Sequence, residues 1–188
     1  MRLLLIAAPG GGKGTQGERL AVHYDIQHIS SGDLLRAEVE ADTTVGREIA
    51  AYQQSGDLVP DQIVIDALIP VVVAAAARGG YILDGFPRTI QQATAAAEIG
   101  VRLDVVLDAA VYLHVPEPVL VQRLLARARP DDTIDVIRHR LQVFAETTGP
   151  LLAYYQNRGI LLEVDADKPP DSITVEIEAR LPDTSNRS

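Results

Sequence analysis

Residues Ala7-Ala8-Pro9-Gly10-Gly11-Gly12-Lys13-Gly14-Thr15 bring glycines, a cation and a hydroxyl into one short turn, the combination by which a backbone cradles phosphate. Glycines let successive N–H groups converge on an anion, a following helix adds the positive end of its dipole, and Lys13 supplies a mobile charge. The general phosphate-loop pattern opens with glycine and places Ser or Thr directly after the lysine. Here Ala7 opens it and Gly14 follows Lys13, so a plain glycine turn with a solvated lysine stays open as an alternative. Two further clusters have matching chemistry, Ser30-Ser31-Gly32-Asp33 and Asp84-Gly85-Phe86-Pro87-Arg88. Between Arg123 and Arg140 lie five arginines (123, 127, 129, 138 and 140) against three acids (131, 132 and 135). Arg123 and Arg127, four apart on a helix predicted to start near Pro118, share a face. Such a focused anion trap suits phosphoryl transfer, which asks for positioning and charge neutralisation rather than covalent help.

These clusters need a scaffold that gathers them. Residues 3–6 read as a buried strand, Thr15 opens a helical pattern, and 26–29, 81–83, 110–115 and 160–164 read as further strands with helical patterns between them. The alternation predicts an α/β fold, a five-stranded parallel sheet with helices on both faces, within one domain. Ligands then collect at the carboxyl ends of the strands, where each polar cluster sits. The 47% hydrophobic content is enough for a substantial core. A net charge of -9 argues against general affinity for nucleic acid or an anionic membrane.

Zero cysteines exclude disulfides and cysteine metal sites, and His23, His28, His114 and His139 lack metal-ligand spacing. The apolar run 63–77, interrupted by Asp66 and Pro70, reads as an interior helix rather than a membrane span. The first strand begins without the features of a signal peptide, so a cytoplasmic location is expected. Tyr154 and Tyr155 read as packing residues, and the tail 182–188 is predicted to be disordered.

Taken in order, the glycine loop, Ser31-Gly32-Asp33-Leu34-Leu35-Arg36, Gly56-Asp57-Leu58-Val59-Pro60, Asp84-Gly85-Phe86-Pro87-Arg88-Thr89 and Arg138-His139-Arg140-Leu141 resemble the adenylate kinases over nearly the whole chain. The resemblance implies a P-loop kinase with Mg2+ as cofactor that converts ATP and AMP reversibly to two ADP. By the same resemblance Gly10, Gly11, Gly12, Lys13, Gly14, Thr15, Arg123, Arg127 and Lys168 face ATP, Lys168 through its loop rather than its side chain. Ser31, Arg36, Asp57, Leu58, Val59, Gly85, Phe86, Pro87, Arg88 and Gln92 face AMP, with Arg129 and Arg140 reaching across the transferred group.

Lys13, Arg88, Arg123, Arg129 and Arg140 carry catalysis in that scheme, and Asp33 and Asp84 hold the metal mainly through water. Asp33 could instead cap a helix and Asp84 orient the Gly85 turn. The amide of Gln92 suits an adenine edge, and Ser31 keeps a hydroxyl that pyrimidine-nucleotide relatives often replace by alanine. Asp57 stands where a basic residue is common. The resemblance also implies a mobile AMP-binding segment at about 30–60 and a short lid at about 127–137, in which Asp131-Asp132 match a pair that organises the arginines, though a helix N-cap ahead of Thr133 explains them nearly as well. A monomer is expected, with no nucleic-acid or membrane partner. Two alternatives remain, another nucleoside monophosphate kinase acting on UMP or CMP and a non-catalytic nucleotide sensor.

Overall fold

The computed structural model describes residues 1–55, 57–127 and 132–182. Five strands, β1 (Arg2–Ile6), β2 (Gln27–Ser30), β3 (Tyr81–Asp84), β4 (Ala109–His114) and β5 (Leu161–Asp165), form one sheet in the order β2-β3-β1-β4-β5. Every pairing is parallel, as the strand and helix alternation predicts. The strand bounds differ from the sequence reading by at most one residue at either end, the ladder extending to Ser30 and Asp84, which pair in register at the polar end of the sheet.

Alternation along β1 builds the interior. Leu3 and Leu5 face one core with Leu20, Leu124, Ile137 and Ile177, while Leu4 and Ile6 face the other with Leu68, Ala93 and Leu151. The first layer contains α1 (Lys13–Tyr24), α6 (Glu117–Arg127), α7 (Ile134–Val143) and α9 (Pro170–Arg180); the second contains α4 (Asp61–Ala76), α5 (Ile90–Arg102) and α8 (Pro150–Asn157). Helices α2 (Ser31–Glu40) and α3 (Thr44–Ser55) form a hairpin beside the cleft, closed by Gly46, where a Cβ would overlap the Glu38 carbonyl. Helix α4 is less enclosed than an interior helix: Val64, Leu68 and Ala75 are buried, but Val73 is exposed. Among the described residues no helix is long and apolar enough to cross a membrane.

Two local features shape the cleft. The side chain of Gln16 is buried and tied to α9, donating to the Pro170 carbonyl at 3.0 Å and accepting from the Thr174 hydroxyl at 2.8 Å, which anchors the start of α1. After α7 the chain widens into a π-helical turn, Phe144–Thr148, sealed by the Gly149 N–H on the Phe144 carbonyl at 2.9 Å. A Cβ on Gly149 would lie 2.7 Å from the Ala145 carbonyl oxygen, so the turn depends on that glycine. Such turns collect at functional sites, and here Phe144 and Thr148 reach the cleft wall.

Candidate active site

A cleft of about 890 Å3 opens at the carboxyl ends of β1, β2 and β3. Its floor is the glycine loop. Gly10 and Gly12 take φ of 82° and 91°, a region that costs other residues about 1–2 kcal/mol. Gly12 is the N-cap of α1 and offers no side-chain cap, so the first-turn N–H groups face an incoming anion. Gly11 is required by its neighbour: a Cβ there would lie 2.7 Å from the Ala7 methyl. Ala7 itself does not have positive φ, so the alanine at the motif's first position is unstrained and its methyl is accommodated by Gly11. Gly14 and Thr15 are exposed on the same wall.

The Lys13 ammonium donates to the Ala7 carbonyl at 2.8 Å. Burial pulls its pKa down to about 8, Asp84 opposes that shift, and Arg88 and Arg127 add to it. Arg88, with its Nε on the Gly85 carbonyl at 2.6 Å, is likewise held below its ordinary value, mainly by burial and then by Arg140 and Arg36 against Asp84. These cations are brought together at a desolvation and repulsion penalty that a polyanion would relieve.

On one side of the cleft, Ser31 is 2% exposed and its hydroxyl makes no hydrogen bond among the described residues. Gly85, at φ 82°, passes so close that a Cβ would overlap that hydroxyl. Arg36 pairs with Asp33, whose backbone N–H donates to the Ser30 hydroxyl at 3.3 Å. Ser30 is thus the α2 cap, and the Asp33 carboxylate belongs to Arg36 instead. Asp57, Leu58 and Val59 line the wall with Phe86, Pro87 and Gln92. The Phe86–Pro87 peptide bond is cis.

On the other side, Arg123 donates to the Ala166 carbonyl at 3.1 Å, and Arg127 grips Asp132 through two bonds of 2.9 and 2.8 Å. Arg140 reaches Asp132 at 3.5 Å and the Gln53 carbonyl at 3.2 Å, so α7 touches α3 across the cleft. His139 adds a second crossing contact, 2.8 Å to Asp57, and that bond holds the Asp57 carboxyl below its usual range. Asp132, with its side chain fully enclosed, thus lies between two arginines, and the α7 cap is Thr133.

Lys13, Asp33, Arg36, Asp84, Arg88, Arg123, Arg127 and Arg140 therefore line one cleft. Lys168 is not part of that lining; its ammonium pairs with Glu176 at 3.0 Å and Asp165 at 3.6 Å, while the neighbouring Ala166 and Asp167 contact Arg123. Arg138 is exposed on the outer face of α7. Gly56 and the lid positions 128–131, Arg129 and Asp131 among them, lie outside the described residues. The sequence reading passed over His28, which reaches Asp84 at 3.1 Å, and Gly17, where a Cβ would overlap the His28 ring. A glycine inside α1 facing a histidine on β2 was the available signal.

Among the described residues no cluster of three or more His, Cys, Asp or Glu could hold a metal unaided. The buried Asp84 carboxylate beside the glycine loop fits a role in holding the waters of an Mg2+ ion.

The adenylate kinase family model matches residues 5–160. An adenylate kinase of Synechococcus sp. (strain WH7803) is 44% identical over 96% of this chain and 98% of its own length. The adenylate kinase 1 of Nostoc sp. (strain PCC 7120 / SAG 25.82 / UTEX 2576) is 42% identical over the same shares. That of Methylorubrum extorquens (strain PA1) is 41% identical over 96% of each chain. The chain belongs to the adenylate kinase family.

Proposed function

We infer that this chain is an ATP:AMP phosphotransferase that interconverts ATP plus AMP with two ADP, and we propose the following division of labour within its cleft. The observation that carries it is the convergence of Lys13, Arg36, Arg88, Arg123, Arg127 and Arg140, from separate segments, over one glycine loop. One nucleotide needs no more than the loop and α6. Arg36 and Arg88, with the Ser31 hydroxyl, supply a second anion site on the opposite wall.

The loop N–H groups and Lys13 hold the ATP phosphates, with Arg123 and Arg127 on their outer side. Arg36 and Arg88 hold the AMP phosphate, and Gln92 reads the adenine edge. An AMP phosphate oxygen attacks the terminal phosphorus in line, the bond to the bridging oxygen of ADP breaks, and Arg140 with Arg129 balances charge on the moving group. Lys13 is central because charge stabilisation in a preorganised, poorly hydrated site has most leverage. Mg2+, when bound with ATP, supplies further neutralisation of the phosphate oxygens; Asp84, and Asp33 once Arg36 turns to phosphate, would hold its waters. The segment 30–60 and the lid close over the substrates to exclude water. The enzyme works as a cytoplasmic monomer without nucleic-acid or membrane partners, consistent with its net charge of -9.

A coupled assay with ATP, Mg2+ and each of AMP, GMP, CMP and UMP tests this reading. Turnover is expected with AMP above all others. Preference for UMP or CMP would make the chain a pyrimidine-nucleotide kinase, and nucleotide binding without turnover would make it a sensor.

A further inference from the structure

The Gln92 side chain is held at both ends. It is 3% exposed, its oxygen accepts from the Arg88 backbone N–H at 2.7 Å, and its nitrogen donates to Asp61 Oδ1 at 2.5 Å. A backbone N–H can only donate and a carboxylate can only accept, so these partners determine which end of the amide is which. Turned over, the amide would set N–H against N–H and oxygen against oxygen. One amide N–H and one oxygen lone pair are left for a ligand, the number an adenine edge requires.

Adenine offers a donor on its exocyclic amine and an acceptor at ring N1; guanine offers the reverse, an acceptor oxygen and a ring N–H. A freely turning glutamine could serve either base. We propose that Asp61 is a base-specificity residue of the monophosphate site, a positioning residue that acts through Gln92 by locking its amide in the orientation that accepts adenine and rejects guanine. Asp61 is the first residue of α4, exposed and absent from the cleft lining, so it does not itself meet the base. The proposal rests on the reading that Gln92 faces the base of AMP.

The test compares kcat/KM for AMP and GMP in the wild type, Asp61→Ala, Asp61→Asn, Gln92→Leu and the Asp61→Ala/Gln92→Leu double variant, with ATP and Mg2+ throughout. Asp61→Ala is expected to lower the AMP:GMP ratio about tenfold, because a charge-assisted hydrogen bond opposing the turned amide is gone. Asp61→Asn, which can itself turn to match either orientation, should lie between. The change should fall on the monophosphate KM and leave the KM for ATP unaltered. In the Gln92→Leu background, Asp61→Ala should change the ratio less than about twofold. Equal losses for AMP and GMP, or an undiminished effect in the Gln92→Leu background, would overturn the inference while leaving the kinase reading intact. A Gln92→Leu variant with the full wild-type preference for AMP would overturn the Gln92 assignment, and this inference with it.

Discussion

If Lys13 holds the ATP phosphates as proposed, nucleotide binding is linked to its protonation. In the unliganded protein its pKa is about 8, lowered from 10.5 by burial and the nearby Arg88 and Arg127. Phosphates arriving at the loop reverse the balance of charge, so the bound state holds the proton more tightly. With the free value at about 8 and the bound value raised well above it, ATP affinity should weaken about tenfold between pH 7 and pH 9. At pH 8.5 about three-quarters of the free protein carries neutral Lys13, so each binding event takes up about 0.75 proton. The terminal phosphate is already ionised above pH 8 and contributes nothing there. Calorimetric titration of ATP, without AMP, in two buffers of different ionisation enthalpy reads this uptake directly. Lys13→Met should bind more weakly and show no uptake at pH 8.5. An absence of uptake in the wild type, or its persistence in Lys13→Met, would refute the assignment of both the depressed pKa and the phosphate contact.

The same shift predicts a change in stability of opposite sign. Below pH 8 both folded and unfolded Lys13 are protonated and the folding penalty is complete; between pH 8 and 10.5 the unfolded chain binds more protons, so the wild type gains stability as pH rises. Lys13→Met should therefore be more stable than wild type at pH 7, by on the order of 3 kcal/mol for a shift of this size, with the difference shrinking above pH 8. Thermal unfolding across that range checks it.

Arg88→Ala should raise the KM for AMP and lower kcat while leaving ATP binding near wild type, in steady-state kinetics with each substrate varied; a loss confined to ATP would exchange the two sites. Gly85→Ala combines strain at φ 82° with overlap on the Ser31 hydroxyl, and a loss of at least tenfold in kcat/KM for AMP is expected. Ala7→Gly, by contrast, should leave kcat within about tenfold, since Ala7 is unstrained; a much larger gain would mean the loop is impaired. Asp132→Ala leaves Arg127 and Arg140 without their shared carboxylate, and a loss of a few kcal/mol in stability, a fall of roughly 5–10 °C in Tm, should accompany reduced turnover in calorimetry and coupled assay.

The sheet and the glycine loop were legible because each is encoded locally. A strand whose residues alternate between two cores, as Leu3 to Ile6 do, must be apolar throughout. A phosphate loop must have its glycines, cation and helix start within a few positions. What the residue pattern did not reveal depends on contacts made across the fold. His28 meets Asp84 across 56 positions, and Gln92 meets Asp61 across 31. Nothing in the immediate neighbourhood of either residue marks that contact. The π-helical turn is hidden for another reason: it adds a single residue to one turn, and Phe144 to Thr148 carry no residue pattern that sets them apart from an ordinary helix. Asp57 was legible only as a departure from a basic residue. The structure supplies its partner: with His139 opposite, the acid makes a 2.8 Å contact across the cleft. The unusual residue is therefore understood as half of a pair, and the pair lies where the segment after α3 approaches α7, beside the Arg140 bond to Gln53.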